Sequence, residues 1–215
     1  MTKALFFDLD GTLTDTHALH IATWLEVLRP HGVEVDLNLY RNKLLDKQNE
    51  EAVRELLPEL ADGEVDELLE AEAGSYRGRT DKVGPILGLD DLLEEGRRRG
   101  MRLVLVTNAP RSATEKTLEA LGFDDRFDEM VFAEEVGAEK PDPAPYREAL
   151  ERLGIPAGET LALEDSPKGV TSAAKAGVPV VGLVSTRPPG ELREAGAEFV
   201  VGDFSDPALR ERLDR

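Results

Sequence analysis

Residues 3–16, KALFFDLDGTLTDT, decide how the rest of the chain is read. The apolar run Ala4-Leu5-Phe6-Phe7 is short, aromatic and soon punctuated by Gly11, which predicts a buried strand rather than a helix. A strand alternates its side chains, so a period of two places Asp8 and Asp10 on one side. Two carboxylates at the mouth of an apolar strand repel one another and lose solvation. One must take a proton, or a cation must sit between them. A hard divalent cation, Mg2+ first among them, suits oxygen ligands of this kind. Gly11 and the hydroxyls of Thr12, Thr14 and Thr16 predict a tight exit from the strand, with no side chain crowding an incoming anion. Asp-Gly pairs are also common in plain turns, so spacing alone leaves a strand-ending turn and a functional site evenly open.

Outward from this stretch the pattern changes to helical. Ala18, Ile21, Trp24, Leu25 and Leu28 recur with a helical period that Pro30 and Gly32 end. Further helices are expected over 37–45, 50–57 and 63–76, the last with Val65, Leu68, Leu69 and Ala73 on one face. No strand-like alternation interrupts this region. It reads as a small all-helical insertion over 17–81, directly behind the aspartates, with a return linker over 78–84. Beyond it, strands over 103–107, 129–132, 160–163, 178–184 and 198–201 alternate with helices over 90–99, 112–121, 143–153, 166–177, 189–195 and 207–213. Ser112 and Glu115 stand at capping-box spacing, and Ser166-Pro167 reads as an N-cap followed by a proline in the first helical position. The expected fold is α/β: a doubly wound parallel sheet, a Rossmann-like core over 1–16 and 82–215, carrying the helical insertion.

Composition narrows the function. A length of 215 residues allows one domain with a substantial insertion, at about 150 residues per domain. With no cysteine, thiolate catalysis, disulfides and Cys-based metal centres are excluded. No apolar run approaches the roughly 20 residues of a membrane span, and Met1-Thr2-Lys3 shows no signal-peptide pattern, so the expectation is a cytoplasmic enzyme. The formal net charge of −18 repels nucleic-acid phosphates. Arg97-Arg98-Arg99 is the one basic run, and it sits where a helix C-terminus favours cations. Neither a nucleic-acid nor a membrane partner is expected, and the chain is expected to act as a monomer or weak homodimer.

In an open parallel sheet, ligands bind beyond the carboxyl ends of the strands. Thr107-Asn108 follows one strand, a hydroxyl and an amide able to donate to phosphate oxygens, although both are also ordinary turn residues. Lys140, with Pro141 and Pro143 just after it, follows another, although in isolation it would read as a solvated surface lysine. Glu164-Asp165 follows a third: as a pair it is equally an N-terminal helix cap, but facing Asp8 and Asp10 it supplies the rest of a Mg2+ site.

FDLDGTLTDT resembles the first motif of the haloacid dehalogenase-like hydrolase superfamily in its DxDGT phosphotransferase form. The other three stretches, in their order, resemble motifs two to four, so the likeness covers essentially the whole chain. It implies that Asp8 is a nucleophile, Asp10 a general acid and base, Thr107 and Lys140 the polar partners of the phosphoryl group, and Asp8, Asp10, Glu164 and Asp165 the metal site. The insertion, as a helical cap domain over 17–81, resembles by its position the subfamily that includes phosphoglycolate phosphatases and beta-phosphoglucomutase. The implied activity is Mg2+-dependent hydrolysis of a small phosphorylated metabolite through an aspartyl phosphate. Asp10 argues against the dehalogenases and phosphonoacetaldehyde hydrolases, which lack an Asp there. The alternatives are a sugar-phosphate mutase and, less favoured, a noncatalytic phosphate-binding protein. His20 and Trp24 match mutase positions, and both also fit the core face of the first cap helix. Where the mutase cap carries an arginine for a distal phosphate, this chain aligns Asn49, with Lys43 and Lys47 nearby in sequence.

Overall fold

The computed structural model describes residues 1–45, 47–79, 84–185 and 187–214. The chain divides into two compact units, Met1–Asp15 with Gly84–Arg215, and Thr16–Val83. The first break falls one residue before the boundary expected from sequence; the expected boundary after 81, and most of the return linker, lie outside the described residues.

Among the described residues of the first unit, six strands form one parallel sheet: β1 (Ala4–Phe7), β2 (Arg102–Thr107), β3 (Glu129–Phe132), β4 (Thr160–Glu164), β5 (Val180–Leu183) and β6 (Phe199–Val201). Their order is β3-β2-β1-β4-β5-β6. The chain winds outward from β1 to β3, then returns past β1 to start again at β4. The winding therefore reverses at β1 and β4, the switch point at whose carboxyl ends doubly wound sheets place their ligands. β1 is buried on both faces, which is why it reads as a continuous apolar run: Leu5 and Phe7 join one core with Leu103, Leu105, Leu161 and Leu163, while Ala4 and Phe6 join the other with Val104, Tyr146, Ala162 and Val170.

The second unit contains α1 (Thr16–Leu28), α2 (Leu37–Leu39), α3 (Asn49–Leu56) and α4 (Asp62–Arg77), and no strand among its described residues. Gly32, at φ 79°, closes the turn after α1 in a left-handed conformation that suits glycine. The helix expected over 37–45 is α only at its start. Asp36 caps α2, and the chain then widens into a π-helical turn, Tyr40–Leu44. Trp24, at 3% exposure, packs in this unit's own core with Leu28, Tyr40, Val53, Val65 and Leu68. The core role weighed for it is the one it has.

The first unit's helices are α5 (Leu89–Arg98), α6 (Arg111–Leu121), α7 (Ala133–Val136), α8 (Ala144–Leu153), α9 (Pro167–Lys175), α10 (Pro189–Ala195) and α11 (Pro207–Leu213). The capping box expected at Ser112 is not formed. α6 starts at Arg111 behind Pro110, without a side-chain cap, and the Arg111 N–H donates instead to Glu134 Oε1 of α7 at 2.9 Å. Ser166 does cap α9, accepting from the Gly169 N–H at 3.0 Å. The basic run is consumed locally: Arg98 and Arg99 pair with Glu95, Arg99 also with Asp214 at 2.6 Å, and Arg97 donates to the Asp125 carbonyl at 2.5 Å. Among the described residues no helix is long and apolar enough to cross a membrane.

Candidate active site

Register builds the site. Phe7 pairs with Leu105 of β2 and Leu163 of β4, so the next residues along the three strands are Asp8, Val106 and Glu164. Lys140, on the segment between α7 and α8, reaches into that row. Its Nζ donates to Asp8 Oδ1 at 2.6 Å, Glu164 Oε1 at 2.6 Å and the Val106 carbonyl at 2.7 Å. The Tyr146 hydroxyl, from α8, donates to the same Glu164 oxygen at 2.5 Å. Behind Asp8 the chain turns sharply at Gly11, φ 76°, whose N–H donates to the Thr14 carbonyl at 2.9 Å. The Thr14 hydroxyl then ties this turn to the Gly84 carbonyl at 2.8 Å.

Burial governs the charges. It pushes the Asp8 carboxyl well above its ordinary value; Lys140 opposes this, and the charges of Glu164 and Asp165 add to the rise. Burial likewise raises Glu164 against the pull of Lys140 and Tyr146. For Lys140 burial acts downward, but the charges of Asp8 and Glu164 outweigh it and hold the ammonium at about 12. One lysine facing three carboxylates leaves the cluster two negative charges in excess when all are ionised. A divalent cation meets that excess. Oxygens of Asp8, Glu164 and Asp165 lie within 4.8 Å of one another, all hard ligands, and Glu164 Oε2 is a buried oxygen with no hydrogen-bond partner. The donor set fits a hard divalent metal. The Asp10 carboxylate is not a member of this group.

The structure thus brings together Asp8, Lys140, Glu164 and Asp165. Thr107 ends β2, 1% exposed, its Oγ1 accepting from the Ala109 N–H at 3.0 Å. Asn108 clasps the lysine's main chain: its Oδ1 accepts from the Lys140 N–H at 3.0 Å, and its Nδ2 donates to the Lys140 carbonyl at 3.4 Å. His20 and Asn49 belong to the helical unit. There His20 stacks on Tyr76 at 4.6 Å between centroids, and Asn49 donates to the largely buried Glu72 at 3.4 Å. Lys43 and Lys47 both pair with Glu55, whose carboxyl their hydrogen bonds pull down to about 2. Two participants escaped the reading of the sequence. Tyr146 lies inside the helix expected over 143–153, and Ser185, which donates to Asp165 Oδ2 at 2.9 Å, lies just past the strand expected over 178–184, neither in a motif.

A family model described as haloacid dehalogenase-like hydrolase matches residues 5–183. The chain belongs to this family. It is 32% identical to a validoxylamine A 7'-phosphate phosphatase of Streptomyces hygroscopicus subsp. limoneus, over 91% of this chain and 92% of that protein. A phosphorylated carbohydrates phosphatase of Thermotoga maritima is 30% identical over 93% and 94% of the two chains. Among solved structures, a putative beta-phosphoglucomutase from Thermotoga maritima superposes with a TM-score of 0.84 at 28% identity, covering 100% of this chain and 99% of that one. The resemblance drawn from the four motifs therefore holds at the level of the family and of the α/β fold.

Proposed function

We propose that this hydrolase is a phosphatase acting on a small phosphorylated metabolite by two in-line displacements at phosphorus. The observation that most supports it is the largely buried pairing of Lys140 with Asp8 and Glu164 at the switch point of the sheet. Asp8 Oδ attacks phosphorus while Asp10 gives its proton to the leaving oxygen. Water then attacks the aspartyl phosphate, Asp10, now the base, takes a proton from that water, and the Asp8 Oδ–P bond breaks to free the carboxylate and phosphate. Lys140 holds the attacking carboxylate in place and keeps positive charge beside it. Thr107 and the backbone N–H groups around Gly11 and Asn108 are the donors for phosphoryl oxygens. Asp8, Asp165 and the Asp10 carbonyl would hold Mg2+, with Glu164 at most a supporting ligand; when bound, the ion offsets charge on the phosphoryl oxygens. The helical unit, with His20 and Asn49, is the part that chooses the leaving group. A monomer or weak homodimer in the cytoplasm suits such an enzyme.

The mutase remains a second reading because of the Thermotoga maritima structure. Against it, a bisphosphate intermediate needs a cationic grip on its distal phosphate. Asn49 is neutral and Lys43 and Lys47 are engaged with Glu55. One assay tests both. With beta-glucose 1-phosphate, a trace of glucose 1,6-bisphosphate and Mg2+, and in parallel with a generic phosphomonoester, the enzyme is expected to release phosphate. Asp8→Asn is expected to abolish that release with the circular dichroism spectrum unchanged. Substantial residual turnover in Asp8→Asn would remove the nucleophile; rapid isomerisation with little free phosphate would make the mutase the answer.

A further inference from the structure

Ser185 lies beyond the four sequence stretches that carry the acids, the lysine and the hydroxyl-amide pair. β4 and β5 pair in parallel, Glu164 against Gly182, which sets the ends of the two strands side by side. Past that end the Val184 N–H still donates to the Val201 carbonyl at 2.9 Å, and the Ser185 N–H turns back to the Leu183 carbonyl at 3.1 Å. The backbone carrying the serine is therefore anchored to β6 on one side and to its own strand on the other. From this anchored position Oγ donates to Asp165 Oδ2 at 2.9 Å, while Asp165 itself is only 3% exposed.

The two neighbouring carboxylates are thus held from different parts of the fold. Glu164 is gripped through Oε1 by Lys140 and Tyr146. Asp165 is gripped through Oδ2 by Ser185. A carboxylate that must receive a cation at fixed geometry binds more tightly when a hydrogen bond to one oxygen already sets its rotamer and its plane. We infer that Ser185 is a positioning residue for the divalent-cation site, acting through Asp165. This rests on the assignment of Asp165 as a cation ligand given under the proposed function.

The test is calorimetric titration of Mg2+ into the substrate-free protein, which needs no turnover. Ser185→Ala is expected to weaken Mg2+ binding by about 10-fold, the lower end of the range for lost outer-shell hydrogen bonds, with the circular dichroism spectrum unchanged. Ser185→Thr, which keeps the hydroxyl, is expected to restore most of the affinity. The turnover lost in Ser185→Ala is expected to return as Mg2+ is raised, a dependence that a loss of packing alone would not show. If Ser185→Ala does not fold, Ser185→Cys, of nearly the same shape with a much weaker donor, replaces it, with the same weakening expected. Wild-type Mg2+ affinity in the folded Ala or Cys variant would overturn the inference. Failure of the underlying assignment looks different: Asp165→Ala would then bind Mg2+ as well as the wild type, or the wild type would not bind it.

Discussion

Lys140 uses all three of its N–H donors inside the protein, on Asp8, Glu164 and the Val106 carbonyl, so its placement depends on how firmly each acceptor is held. Of its two carboxylate acceptors, Glu164 has the less freedom. It is fully buried, Tyr146 shares its Oε1, and its Oε2 has no hydrogen-bond partner. Tyr146→Phe removes one hydroxyl and no packing, because the ring still lies against Phe6 at 6.2 Å. A hydrogen bond to a charged group is worth about 1.5–3 kcal/mol, and that loss is expected in urea unfolding of the variant. A change below about 0.5 kcal/mol would mean that the hydroxyl is not holding an ionised Glu164. This network also shows what could be read in advance. Asp8, Lys140, Glu164 and Asp165 stand at strand ends or just ahead of a pair of prolines, local patterns that a sequence displays. Tyr146 and Ser185 carry no such mark, since their partners are 18 and 20 residues away and only the folded sheet brings them together. The sequence sets Asp10 on one side with Asp8 by strand alternation, but β1 ends at Phe7, so both aspartates lie past the regular strand.

At the scale of elements, α9 shows how tightly the site is tied to its scaffold. A Cβ at Gly169 would stand 1.8 Å from Glu164 Oε2 and 2.1 Å from its Cδ, so the first turn of this helix passes where no side chain fits. Gly169→Ala must displace either the helix or the carboxylate, and is expected to cost at least the 1–3 kcal/mol or so of ordinary overpacking and to weaken hydrolysis as well. Gly63, near the start of α4, is the contrasting case: nothing lies within 4 Å of its added Cβ and its φ is ordinary. Gly63→Ala is expected to stabilise by about 0.5–1 kcal/mol, as usual for an open helical position. Chemical denaturation of the two variants side by side checks both signs. Gly169 was legible only as a helical residue, because its constraint comes from Glu164 across the fold. Long periodic elements such as α1 and α4 were legible within a residue or two. Short ones were not: α7 spans four residues, and the widening of 40–44 into a π turn leaves the apolar spacing almost unchanged.

Over the whole molecule, 44 acidic residues against 26 basic ones leave a net charge of −18, which disfavours the folded chain through self-repulsion. Any salt relieves this, since the screening length falls from about 30 Å at 0.01 M to about 10 Å at 0.1 M. A divalent cation bound at Asp8 and Asp165 acts differently, by mass action, and at 100 times its dissociation constant adds about 2.7 kcal/mol to the folded state. The two effects separate in thermal melts run in NaCl and in MgCl2 at matched ionic strength. NaCl is expected to raise the midpoint gradually and equally in wild type and Asp165→Ala, because screening does not depend on one residue. MgCl2 is expected to raise the wild-type midpoint further and to level off once the site fills, whereas in Asp165→Ala it should follow the NaCl curve. Coincident MgCl2 and NaCl curves in the wild type would leave only the general screening of the net charge and remove the cation from the site; a saturating Mg2+ increment that survives in Asp165→Ala would move the ion to other ligands.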